Sequence, residues 1–188
     1  MKYILVAFCG AFLICCGTTV GVDYDKQIDF GNYTTYNFYP SLDSGLNALD
    51  DKRIIRATDS LLQLRGFVKS DTPQLYINFF AKEQLTNSRN TLGVGIGSGG
   101  RNGGVGISGG SPIGGKVIEQ EFTLDFIDVL KDDLVWQAVA ESDYKEKAGP
   151  QQKEKHYVSI LNKIFSKYPP KHLLTQYTNL HHFHHVLL

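Results

Sequence analysis

Val117-Ile118-Glu119-Gln120-Glu121-Phe122-Thr123-Leu124-Asp125-Phe126, the turn Lys131-Asp132-Asp133, and Leu134-Val135-Trp136-Gln137-Ala138-Val139-Ala140 together decide the fold. In the first segment Ile118, Phe122, Leu124 and Phe126 alternate with Glu119, Glu121, Thr123 and Asp125. Successive side chains of a strand point to opposite faces, so this period of two buries one face and leaves the other charged. Leu134, Trp136, Ala138 and Ala140 mark a second strand, and the pair reads as an antiparallel hairpin. Trp136 is the only tryptophan. Two small alanines beside one large ring leave room for a helix to pack closely. Trp136 is therefore expected in the core, under the helix that carries Leu161, Ile164 and Phe165, and not as a ligand-stacking platform.

Working outward, the spacing predicts that last helix over 152–167, with Tyr157, Leu161, Ile164 and Tyr168 on one stripe and Pro169-Pro170 as the stop. Upstream, Phe30 to Pro40 is rich in Tyr, Phe and Thr and reads as a strand. A helix follows over 47–65, with Ile54, Ala57, Thr58, Leu61 and Leu62 at three- and four-residue spacing. Asp50 and Asp51 suit the positive end of its dipole and Arg65 the other, and Gly66 is a natural residue just past its end. Leu75 to Phe80 is a further strand after Pro73. The order β-α-β-(β)-β-β-α predicts an α+β fold: an antiparallel sheet of about four to five strands with two helices packed on one face. Twelve of the twenty-four residues 92–115 are glycine, with Gly-Val-Gly-Ile at 93–96 and again at 104–107. Glycine is costly to order, so a loop or loose hairpin is expected there.

The 188 residues suffice for one domain plus tails. Lys and Arg number 19, as do Asp and Glu, so the formal charge is 0. Without a basic excess there is no electrostatic footprint for nucleic acid. The three cysteines are Cys9, Cys15 and Cys16. Lys2 precedes an apolar run from Tyr3 to Cys16, which as a helix would span about 21 Å at 1.5 Å per residue. That is too short for a bilayer core of about 30 Å and fits the apolar region of a signal peptide. Leu13-Ile14-Cys15-Cys16 resembles a bacterial lipobox, in which the last cysteine is lipidated and the leader is cut before it. Cys15 departs from the usual Gly, Ala or Ser but is small enough for the same pocket. The expected organisation is a signal peptide 1–15, lipidation at Cys16, a tether 16–28, one domain 29–170 and a His-rich tail 171–188. Gly17 in place of Asp suggests, by analogy with Gram-negative sorting, attachment to the outer membrane facing the periplasm.

Four blocks carry a further resemblance: Asp29-Phe30 with Tyr33, Thr35-Tyr36 and Pro40; Leu64-Arg65-Gly66-Phe67; Leu124-Asp125-Phe126-Ile127-Asp128 with Leu134-Val135-Trp136-Gln137; and Ile160 to Pro170. Together, over about residues 22–170, they resemble an uncharacterised bacterial lipoprotein family known only as domain of unknown function 4136. The resemblance implies a periplasm-facing lipoprotein and no particular activity.

No motif rises to a catalytic or cofactor site. Gly110-Ser111-Pro112-Ile113-Gly114-Gly115-Lys116-Val117 approaches a phosphate-binding loop, but Val117 stands where a magnesium-holding hydroxyl belongs and a strand follows instead of a helix. Gly95 to Gly100 matches a dinucleotide fingerprint only as half-glycine sequence would by chance. Glu119, Glu121 and Asp125 share a strand face with Asp128 near its end. Carboxylates so placed could serve a hydrolase, but a solvated outer face is the plainer reading. His156 reads as a surface or capping residue. His181 and His185 in the tail would sit one turn apart on a helix, a spacing that suits zinc or copper. The leading expectation is a non-enzymatic binding or structural module of the cell envelope, anchored by the lipid on Cys16, without cofactor and with an envelope protein or glycan as partner. A periplasmic hydrolase using the strand carboxylates, or metal handling by the tail, are the alternatives. Cys16→Ser is expected to release the protein from membranes or leave an uncut precursor. Labelled palmitate still entering that variant would contradict the assignment.

Overall fold

A computed structural model describes residues 18–87, 91–93, 110–112 and 115–170. The expected leader with Cys16, most of the glycine segment and the His-rich tail lie outside the described residues.

The hairpin forms as the alternation requires. Its strands are β7 (Lys116–Asp128) and β8 (Asp133–Lys145), each 13 residues long. Phe122 pairs with Ala140, Leu124 with Ala138 and Phe126 with Trp136, so large side chains face small ones across the ladder. One irregularity follows: the register shifts between Phe126 and Ile127, and Ile127 lies opposite Leu134. The extra residue is a bulge that turns the strand over. Val135 is buried at 1% exposure, whereas Leu134, expected beside Trp136, is 51% exposed.

β4 (Leu75–Asn87) lies antiparallel on the other side of β7, with Leu75, Ile77 and Phe79 on the buried face. Beyond it are β2 (Thr35–Phe38) and the two-residue edge strand β3 (Val68–Lys69). Both β3 and β4 run parallel to β2. The sheet is therefore mixed and six-stranded, in the order β1-β8-β7-β4-β2-β3 with β1 formed by Thr19–Tyr24, and not the antiparallel four to five strands expected. Helix α1 (Ala48–Gln63) is the cause: it carries the chain back so that the next strands start at the same end as β2, as a crossover between parallel strands must.

The second correction lies at the N-terminal side. The stretch expected as a tether contains β1 (Thr19–Tyr24), which pairs antiparallel with β8 from Thr19 opposite Glu141 to Tyr24 opposite Trp136. Val20 and Tyr24 pack against the core. A second, two-stranded sheet joins β5 (Thr91–Gly93) to β6 (Gly110–Pro112), so the ends of the glycine segment do pair as a hairpin.

Both helices cover the face made by Phe79, Phe122, Leu124, Phe126, Trp136 and Ala138. Asn47 caps α1 by accepting the N–H groups of Leu49 and Asp50, and Gly66 adopts φ +86 just past its end. In α2 (Pro150–Phe165), proline occupies the first turn and Gln152 Oε1 accepts the Gly149 N–H at 3.1 Å. Leu161, Ile164 and Phe165 are wholly buried, as is Trp136. The Trp136 ring lies 5.0 Å from Phe126 and 5.4 Å from Tyr168. No described helix is long and apolar enough to cross a membrane.

Truncating a buried tryptophan costs about 3–5 kcal/mol, a large share of a typical total of about 5–15 kcal/mol. Trp136→Ala is expected to lower the urea midpoint sharply, and the wild-type tryptophan emission to be blue-shifted. An unchanged midpoint would remove Trp136 from the core.

Candidate functional site

The strand carboxylates are engaged separately. Asp125 is 7% exposed and accepts hydrogen bonds from Gln137 Nε2 at 2.8 Å and Asn78 Nδ2 at 3.3 Å, its two cross-strand neighbours. Glu121 pairs with Lys82 at 3.1 Å on the exposed arm. Asp128 accepts the Tyr33 hydroxyl at 2.6 Å and the N–H groups of Leu130 and Lys131, which closes the β7–β8 turn. Burial alone would raise the Asp128 pKa, but these hydrogen bonds outweigh it and hold the carboxyl below its ordinary range. Asp125 and Asp128 are thus held by different partners, and neither Glu119, Glu121, Asp125 nor Asp128 borders the groove described below. No group of His, Cys, Asp or Glu among the described residues is arranged to hold a metal ion. The near-miss phosphate loop runs straight into β7 at Lys116, with no helix to present amides.

His156 is part of a polar network, not a surface residue. Gln120, on the otherwise apolar side of β7, donates from Nε2 to Glu83 Oε1 at 2.7 Å. That fixes the amide so that its Oε1 faces His156 Nε2 at 3.1 Å, and the imidazole carries a proton at Nε2 to donate to it. Tyr144 donates to the same Glu83 oxygen at 2.7 Å and lies 4.7 Å, ring to ring, from His156. Burial pushes the His156 pKa down from 6.5 to about 4, with Asp143 and Asp50 opposing and Lys153 assisting. Nearby, Asp50 is 1% exposed and binds Lys153 and Arg53, each at 2.6 Å, so the two helices are tied together near their first turns. Burial would raise its pKa too, and hydrogen bonds from Lys153, Asn47 and Arg53 bring it below the ordinary value. The signal for this network was present in the sequence: Gln120 is a polar residue at a position the alternation assigns to the core.

An open groove of about 400 Å³ lies at the other end of the helices. Phe30 and Tyr33 come from the segment entering β2, Arg65 and Phe67 from the end of α1, and Tyr168 and Pro169 from the chain leaving α2. Phe30 stands edge-on to Tyr168 at 5.7 Å, and Phe67 lies 6.1 Å from the same ring. Arg65 donates to the Leu61 and Phe165 carbonyls at 3.0 and 3.2 Å and lies over the Phe165 ring, which locks the two helix ends. The Tyr168 hydroxyl is buried without a hydrogen-bond partner among the described residues. Three of the four sequence blocks that carry the resemblance meet here. The groove itself was not legible, because it joins residues from distant segments.

The family model for Domain of unknown function (DUF4136) matches residues 20–170. The chain belongs to this family. No curated protein matches it significantly. Among solved structures it is similar to a PDZ domain protein from Parabacteroides distasonis, at 14% identity and a TM-score of 0.54, over 81% of this chain and 36% of that one. This chain therefore spans about a third of that protein, and the likeness shows the fold alone. It also matches the PelC dodecamer from Paraburkholderia phytofirmans, at 14% identity and a TM-score of 0.46, over 80% of this chain and 95% of that one.

The depressed His156 pKa gives a pH signature. The unfolded chain takes up this proton near pH 6.5 and the folded one only near pH 4. Stability is therefore full above pH 6.5 and falls as the pH drops toward 4, by at most about 3 kcal/mol at 1.36 kcal/mol per unit. The Asp50 and Asp128 contributions fade only below that window, because their folded pKa values are lowered from 3.8. Urea titrations of wild type and His156→Gln between pH 7 and 4 are expected to show a steep loss in the former and a shallow one in the latter. Parallel curves would contradict this.

Proposed function

We propose that this family member is a non-enzymatic, lipid-anchored binding module of the bacterial cell envelope. It is held on the outer membrane through Cys16, faces the periplasm, and takes an extended peptide segment of an envelope partner into the aromatic groove. The observation that carries the reading is the convergence of Phe30, Tyr33, Phe67 and Tyr168, from three separate segments, around one open concavity. Ligand sites are concave and mainly apolar, with a few polar groups to orient the guest, and aromatic side chains are the usual anchors of recognition surfaces. Arg65 supplies a charged group at this wall.

A peptide suits the place because the groove adjoins a sheet edge. The Val68 N–H donates to Thr34 O and the Ser70 N–H to Tyr36 O. By strand alternation the Lys69 N–H and C=O face away from β2, where an added extended chain could pair with them. The leader and lipobox support the anchor and the compartment.

A photoreactive amino acid at Thr34, an exposed residue at the groove, tests this in cells. A discrete protein adduct is expected there and none from the same group at Lys155, which is exposed on α2. No adduct at 34, or the same pattern at both positions, would contradict the groove as a binding site.

A further inference from the structure

We infer that the arm of the sheet formed by Lys82–Asn87, Val117–Glu121 and Ser142–Lys145 lies against the lipid surface, so that the aromatic groove opens away from it. The inference rests on the lipid anchor at Cys16 and adds an orientation that the anchor alone does not give.

The reach of the chain sets the orientation. β1 begins at Thr19, only three residues after Cys16. An extended chain spans at most about 3.3–3.6 Å per residue, so Thr19 sits within roughly 10 Å of the lipidated cysteine. Thr19 lies opposite Glu141, but β8 continues to Lys145. β7 and β4 accompany it, with Val117 opposite Lys145 and Thr86 opposite Val117. Four further residues at about 3.4 Å each carry the arm roughly 14 Å past the start of β1. That overhang exceeds the reach of the anchor. With its strands along the membrane normal the domain cannot then stand clear of the bilayer, and the arm rests on the headgroups beside the anchor.

The opposite end follows from the same register. Tyr24 pairs with Trp136, five residues along β8 from Glu141, which places it roughly 17 Å farther from the anchor at about 3.4 Å per residue. Phe30 lies 6.2 Å from Tyr24 and Tyr168 lies 5.4 Å from Trp136, so two walls of the groove belong to this distal end.

Charge does not supply the contact. Lys82 is paired with Glu121, and Glu83, Glu119, Glu141, Asp143 and Glu146 outnumber Lys116, Lys145 and Lys147, so the arm is net acidic. The arm should therefore meet lipid because the anchor holds it there, and the chain without its lipid should not bind anionic vesicles.

The mature chain has no cysteine after Cys16, so one introduced thiol can be labelled uniquely. The lipidated full chain carrying Lys145→Cys or Leu130→Cys would be labelled with an environment-sensitive fluorophore. It would then be reconstituted in phosphatidylethanolamine–phosphatidylglycerol vesicles containing brominated lipid. Leu130 is 95% exposed in the distal turn. Several-fold quenching at 145 and none at 130 is expected. Vesicle-bound protein unquenched at both positions, or quenched at 130, would overturn the orientation while leaving the anchor intact. Wild type that fails to float with vesicles would overturn the anchor reading and this inference with it.

Discussion

The molecule is organised by one packed face, where Phe122, Leu124 and Phe126 of β7 lie opposite Ala140, Ala138 and Trp136 of β8. Pairing each large side chain with a smaller or tilted one leaves a surface on which α2 can settle. Ala138 and Ala140 are wholly buried beneath it. Trp136 is the pivot, because it touches Phe126 in the sheet and Tyr168 after α2. Its Nε1 finds no hydrogen-bond partner among the described residues. An unsatisfied buried donor costs about 1–3 kcal/mol, less than truncating the whole ring would, so the packing dominates. Tyr168, placed by this contact, in turn positions Phe30 and Phe67 around the groove.

The same hairpin sets the direction of the molecule. β1 adds to its outer edge, and only Gly17 and Thr18 lie between it and the proposed lipid site. The start of β1 and the groove then occupy opposite ends of one ladder. A module built this way would present its recognition surface at a fixed distance from the bilayer, where a flexible tether would sample many.

The hairpin, both helices, Gly66 past the end of α1 and the burial of Trp136 were legible because each rests on local periodicity or a local backbone demand. The sheet's direction was not read correctly, although the order strand, helix, strand around Ala48–Gln63 already favoured a parallel crossover. β1 escaped notice because Gly21 interrupts a short run, and its burial comes from pairing with a distant strand rather than from its own pattern. The bulge at Val135 reversed Leu134, and no residue type announces such a slip. Charge alternation identified the outer face but not that Asp125 would be shielded there by Asn78 and Gln137. The groove depends on three segments meeting, which lies beyond any local signal.

β1 is a strand of the sheet, not a tether between the sheet and the proposed lipid site. Amide hydrogen exchange on the mature lipidated chain in micelles tests this directly. The Asp25 N–H bonds to Val135 O, so by antiparallel alternation the amides of Thr19, Gly21 and Asp23 point into the ladder. The account predicts slow exchange at these three positions and faster exchange at Val20 and Val22. Uniformly fast exchange across residues 19–24 would show a free tether and contradict it.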